Sequence, residues 1–64
     1  MARTLIERVQ SALRNAAENG YHFTGWSAER VAEDMVSYDS DLEMEEVDDV
    51  ARAIEKIWRK EPRS

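Results

Sequence analysis

The only histidine of the sequence, His22, is its first candidate for acid–base or nucleophilic chemistry. A nucleophilic site needs a Ser or Cys held by a His and an orienting acid within a shielded cleft. The chain has no Cys and no carboxylate adjacent to His22, and Ser27 and Ser40 stand where helix caps and turns are expected. Gly20 and Gly25 match no phosphate-binding loop. We therefore predict that the protein is not an enzyme and binds no cofactor.

The run from Asp39 to Glu43 is a second candidate, because it resembles the start of a calcium-binding loop. The match fails at the sixth position, where Met44 replaces the required Gly, and at the twelfth, where Val50 replaces a bidentate Glu. We therefore predict no metal site and assign Asp39 and Asp41 to helix capping, with weak divalent-ion binding as the alternative. The absence of Cys also excludes cysteine-ligated zinc.

The strongest chemical signal is the distribution of charge. Acids outnumber bases fourteen to nine, and the surplus is concentrated in residues 39–49, which we call the acidic segment. Its carboxylates, which no base interrupts, are Asp39, Asp41, Glu43, Glu45, Glu46, Asp48 and Asp49. Two or three acids complement the dipole of a helix start, an effect that fades beyond the first turn. On a helix from residue 41, six carboxylates would lie within about 12 Å, approaching the charge spacing of about 1.7 Å in duplex DNA.

A row of carboxylates of this density predicts a basic protein surface as the partner, such as that of a nucleic-acid-binding protein. The same negative charge disfavours direct binding to nucleic acid or to an anionic membrane. A helix-turn-helix DNA reader is also disfavoured, since the reading end of the third helix would be its acidic end. Three residues of an aromatic connector, Tyr21, His22 and Trp26, complete the predicted partner-binding set, because aromatic side chains serve as interface anchors. Phe23 and Trp26 are also expected to cover one end of the core.

In size, charge and helical make-up the chain resembles small inhibitors from phages and mobile elements, including anti-CRISPR proteins and DNA mimics. The resemblance covers no defined motif and transfers no site residues. It implies an inhibitor that docks its acidic face on a nucleic-acid-binding groove. The alternative function is a self-associating structural or regulatory module, since chains below about 70–80 residues often complete a thin core with a second copy.

The elements that must carry these residues are three helices, predicted at about residues 4–19, 27–37 and 42–60, followed by a frayed tail at 61–64. Each segment repeats apolar residues at helical spacing. No segment alternates apolar and polar residues long enough for a strand. The expected fold is all-α, a small three-helix bundle with short loops that forms a single domain over residues 1–64.

The sequence also bears on location. It contains no apolar run of the about 18 residues that a spanning helix requires, and its N-terminus lacks the apolar core of a secretory signal. A cytoplasmic location is the resulting expectation.

Overall fold

The computed structural model describes residues 3–61, with Tyr38 described by its backbone alone. Within this range the chain forms three α-helices: α1, Leu5–Glu18; α2, Ala28–Tyr38; and α3, Val47–Lys60. One 3-10 turn, Met44–Glu46, leads directly into α3. The described residues form no strand, and the helices pack against one another. The prediction of a small all-α three-helix bundle is therefore confirmed.

Helix α1 begins and ends at local signals that are visible in the sequence. Its N-cap, Thr4, accepts the Glu7 N–H at 3.2 Å, while the Glu7 carboxylate accepts the Thr4 N–H at 3.4 Å. At the other end Gly20 adopts φ 88°, and the Tyr21 N–H donates to the Ala16 carbonyl at 2.8 Å. This is a Schellman ending, in which a residue of positive φ lets the chain reverse and satisfy the last carbonyls.

Helix α2 also begins as predicted. The side chain of Ser27 accepts the Arg30 N–H at 3.2 Å and so satisfies one of the donors at the helix start. The helix ends at Asp39, whose N–H donates to the Met35 carbonyl at 2.8 Å. The acidic segment therefore starts at the C-terminal end of α2.

The third helix differs from its predicted range. It was expected to begin near residue 42, but Leu42 is buried and Glu43 has extended backbone angles, φ −100° and ψ 149°. The chain must turn there to place Leu42 in the core, so α3 begins only at Val47. At the other end α3 ends at Lys60, and the N–H of its C-cap, Glu61, donates to the Ile57 carbonyl at 2.8 Å. Residues 62–64 lie outside the described residues.

The core is organised around α3, which packs against both α1 and α2. The largest fully buried side chains come from all three helices and are Val9, Val31, Met35, Val50 and Ile54. Two residues from the connections add to them: Phe23, before α2, and Leu42, after it. None of the three helices is both long enough and apolar enough to cross a membrane.

Candidate protein-interaction surface

Short-range hydrogen bonds order the acidic segment. The Asp39 carboxylate accepts the Asp41 N–H at 2.9 Å, and the Asp39 backbone carbonyl accepts the Leu42 N–H at 3.2 Å. The Glu46 carboxylate accepts the Glu43 N–H at 3.3 Å, and the Glu46 N–H donates to the Glu43 carbonyl at 2.9 Å. The Asp39 side chain thus closes a turn within the segment and caps no helix start, since the N-cap of the following 3-10 turn is Glu43. The segment is two linked turns held by their own polar groups, not one continuous helix.

Most carboxylates of the segment face solvent. Glu45, Asp48 and Asp49 are exposed, while Asp39 and Glu46 are half-buried. Only Asp48 and Asp49 belong to α3 itself. The expectation of six carboxylates along one helix from residue 41 is therefore wrong, because the buried Leu42 interrupts it.

Glu46 is held by an arginine from a distant part of the chain. The Arg8 guanidinium donates to both Glu46 oxygens, at 3.0 and 3.2 Å, and to the Asp41 carbonyl at 2.9 Å. The hydrogen bond from Arg8 is the main cause that lowers the pKa of Glu46, and the same bond raises the pKa of Arg8. This planar, two-point contact fixes the segment against α1. Glu46 therefore has a structural contact within the chain, and its place among the predicted partner-binding residues stays a prediction.

This contact predicts a pH-dependent stability. A carboxylate whose pKa is lowered on folding stabilises the fold above its ordinary pKa, and this contribution is lost as the pH falls through the folded value. The wild-type protein should therefore be more stable than Glu46→Gln at neutral pH. The difference should shrink as the pH falls below 4.5, the ordinary pKa of a glutamate side chain. The pKa of Arg8 is raised on folding, so the contribution of Arg8 to stability would be lost only in strong alkali. Urea unfolding of both proteins at several pH values measures the difference.

Glu45→Gln is the matched control, since Glu45 is exposed and makes no ion pair within residues 3–61. It removes the same charge one residue away without removing the contact to Arg8. The assigned role of Arg8 would be contradicted if the loss of stability in Glu46→Gln did not depend on pH. It would also be contradicted if Glu45→Gln lost as much stability.

The remaining carboxylates are largely unpaired. Asp49 contacts Arg52 at 3.2 Å, but both side chains are exposed and such surface pairs contribute little. Of the seven, those without an ion pair in the part of the chain that the structure describes are Asp39, Asp41, Glu43, Glu45 and Asp48. Their charge is available to a cationic partner.

The most exposed large apolar residue of the described chain lies among these carboxylates. Met44 is 72% exposed and stands between Glu43 and Glu45. Methionine is enriched at protein interfaces because its flexible, polarisable side chain fits irregular pockets. From the sequence, Met44 was notable only as the residue that breaks the calcium-loop pattern. In the sequence Met44 is one of three large apolar residues of the acidic segment, with Leu42 and Val47, and no local signal distinguishes the exposed one from the other two.

The predicted aromatic contacts lie elsewhere on the molecule. Tyr21 and His22 are exposed, whereas Trp26 is half-buried, in edge contact with Phe23 at 5.4 Å between ring centres, and covered by Arg30 at 4.5 Å. The Arg30 contact is a cation–π interaction. The aromatic residues precede the N-terminal end of α2, whereas the acidic segment follows the C-terminal end of the same helix. An 11-residue helix separates them by roughly 16 Å, so the predicted partner-binding residues form two surfaces.

No three or more His, Asp or Glu side chains among the described residues converge on a point where a metal ion could be held. No known protein family, curated protein or solved structure matches this chain. Charge, exposure and local geometry are therefore the basis for assigning a function.

Proposed function

We propose that this protein is a non-enzymatic binding module that docks its acidic segment on a basic surface of a nucleic-acid-binding protein. Its action is that of an inhibitor of the phage type, an anti-CRISPR protein or DNA mimic, which occupies the groove that nucleic acid would enter. The observation that carries the proposal is an exposed Met44 within an ordered, exposed and largely unpaired row of carboxylates.

The two features supply different parts of a binding free energy. Unpaired carboxylates steer the encounter with a cationic surface and fix its register, and their effect weakens as salt rises. Met44 supplies apolar area, and complete burial of such a side chain contributes about 1.5–3 kcal/mol. Because the two turns are already held by hydrogen bonds and by Arg8, little further ordering opposes binding.

Identification of the partner is the first experiment. A photo-crosslinking amino acid at position 44 should capture a basic protein from a host lysate, whereas the same group at Glu29, on exposed α2 surface, should not. The captured protein is then purified and its affinity for this chain and for duplex DNA is measured separately. The proposal requires that DNA and this chain compete for it.

We expect neutralisation of the unpaired acids to weaken binding. The triple variant Asp41→Asn, Glu43→Gln, Asp48→Asn retains side chains of similar shape and leaves the Arg8–Glu46 contact in place. The affinity for the purified partner should fall by more than about 2 kcal/mol, or roughly 30-fold. Isothermal titration calorimetry at two salt concentrations measures the loss and its salt dependence.

The matched control removes the same three negative charges from exposed positions of α1 and α2: Glu18→Gln, Glu29→Gln and Glu33→Gln. This variant should bind within about threefold of wild type, since distant exposed charges are screened. Equal losses in the two variants would show that only net charge matters and that the acidic segment is not the epitope. Simultaneous binding of DNA and this chain to the partner would exclude mimicry.

A further inference from the structure

A shallow groove lies between α1 and the C-terminal end of α3. Its volume is about 310 Å³, and its apolar lining comes from Ile6 and Ile57. Across Gln10 and Ile57 it adjoins a second pocket of about 260 Å³, which adds Leu13 and Trp58. Ile6 is 37% exposed and is one of three exposed large apolar side chains among those that the structure describes. The groove and the adjoining pocket therefore form one surface with large apolar side chains in its lining.

The bases along this surface have no acidic partner. Of the nine bases in the chain, eight lie within residues 3–61. Four of these contact other groups of the chain through an ion pair, a hydrogen bond or a cation–π contact: Arg3, Arg8, Arg30 and Arg52. The other four line the groove or the adjoining pocket and form no ion pair in the described part of the chain: Arg14, Lys56, Arg59 and Lys60. Glu61 is the one acid among the lining residues, so this surface is cationic on a chain of net charge −5.

The helix dipole accounts for only part of this cationic cluster. Bases in the last turn of a helix complement its dipole, and Arg59 and Lys60 occupy the last turn of α3. Lys56 lies one turn earlier, and Arg14 belongs to α1, which has no base in its last turn. The last two bases therefore meet the others across the groove for a reason other than the stability of either helix.

We propose that this groove binds an acidic peptide segment of a partner protein, in which carboxylates flank a large apolar side chain. The apolar side chain of the peptide covers Ile6 and Ile57. Its carboxylates contact Lys56 and Lys60 on the α3 wall and Arg14 on the α1 wall. The apolar contact supplies the burial, and the charges fix the orientation of the peptide.

The number and placement of the bases favour a peptide over other anions. Lys56 and Lys60 are one turn apart on α3, with about 5–6 Å between Cβ atoms at this spacing, whereas Arg14 lies on a different helix. The single carboxylate of a fatty acid cannot contact all three. A nucleic acid or an anionic membrane presents an extended array of negative charge, which the net charge of −5 opposes. A short peptide meets the bases without that array.

This inference goes beyond the proposed inhibitor function. The acidic segment leads into the N-terminal end of α3, and the groove lies at the C-terminal end of the same 14-residue helix, roughly 20 Å away. The two surfaces carry opposite charge, so they require partner surfaces of opposite kinds. Either proposal can fail without the other.

The first test is selection from a displayed library of random peptides on the immobilised wild-type chain. The soluble double variant Lys56→Gln, Lys60→Gln is present in excess and removes peptides that bind elsewhere on the molecule. Both positions are exposed, so the variant should fold, and circular dichroism confirms this. The selected peptides should carry several Asp or Glu residues beside Leu, Phe or Trp. Selection of basic peptides, of neutral peptides or of none would overturn the proposal.

The second test locates and measures the binding of a selected peptide. The NMR amide signals of Gln10 and Ile57, which line both pockets, should shift on titration. The double variant Lys56→Gln, Lys60→Gln should bind about fivefold more weakly, and so should Ile6→Ser. The matched control, Arg3→Gln with Arg30→Gln, removes the same charge from exposed positions outside both pockets and should bind within about twofold of wild type.

Two further probes test the other anions. Dodecanoate and phosphatidylglycerol vesicles are titrated into the same wild-type chain. Both should bind more weakly than the peptide. Tighter binding of either probe in the groove would assign it to a lipid and overturn the proposal. Equal losses of peptide affinity in the lysine variant and its control, or peptide-induced shifts confined to the acidic segment, would overturn it as well.

Discussion

Replacement of Ile54 with aspartate is expected to unfold the domain. Ile54 has no exposed surface and lies on α3, the helix that contacts both others. The substitution removes apolar burial worth about 2–5 kcal/mol and places an unpaired carboxylate where no cation or water can reach it. Domains of this size are stable by only about 0.05–0.15 kcal/mol per residue, so the combined loss exceeds the stability available. Val50→Asp should behave in the same way, since Val50 is equally buried.

Far-UV circular dichroism and urea unfolding measure this effect. Ile54→Val, which removes one methylene and adds no charge, should cost about 0.5–1.5 kcal/mol and retain the fold. Glu55→Ala, at the next position but exposed, should change stability by less than about 0.5 kcal/mol. An Ile54→Asp protein with wild-type helix content and an unchanged urea midpoint would show that α3 is not the centre of the core.

Loss of the Phe23 side chain is the second large effect. Phe23 is 7% exposed, is packed in the core and contacts Trp26 edge-on. Its backbone has φ 56°, the left-handed region that an aromatic residue rarely adopts. The Trp26 N–H donates to the Phe23 carbonyl at 3.0 Å across this turn. The core thus holds Phe23 in an unfavourable conformation, and burial of its ring offsets the strain.

Two truncations separate the contribution of ring burial from the cost of the strained backbone at Phe23. Phe23→Ala and Phe23→Gly both lose the ring and should each be destabilised by about 3 kcal/mol or more. The glycine variant should be the more stable of the two by about 1 kcal/mol, because glycine accepts positive φ without strain. Urea unfolding in a stabilising osmolyte keeps both variants measurable. Tyr21→Ala, which removes an exposed aromatic ring of the same connection, should be nearly neutral. If the alanine variant were more stable than the glycine variant, the backbone at position 23 would not be strained.

The bounds of α1 and the start of α2 are set by neighbouring residues. The capping box of Thr4 and Glu7, the Ser27 cap and the ending at Gly20 each depend on residues within a few positions of one another. The apolar spacing of the helices indicated the three-helix fold because an amphipathic helix must bury its apolar face. Local chemistry was therefore sufficient for the architecture.

The features that the sequence did not predict depend on contacts between distant residues. Arg8 and Glu46 are 38 positions apart, and their pairing is decided by how α1 and α3 pack. The delayed start of α3 has the same origin, since Leu42 leaves the helical path to enter the core. The exposure of Met44 follows from the same turn. The acidic character of the surface was evident from the sequence, but its shape was not.

Within residues 39–49 some side chains hold the turns in place and others only face solvent, and this difference determines which positions tolerate substitution. Leu42 and Glu46 attach the turns to the rest of the molecule, and Asp39 closes the first of them. The neighbouring exposed positions contribute little to folding, and substitutions at such positions usually alter stability by less than about 0.5 kcal/mol. Under the proposed function, these positions can therefore be substituted one side chain at a time to change the contacts of the surface while the scaffold persists.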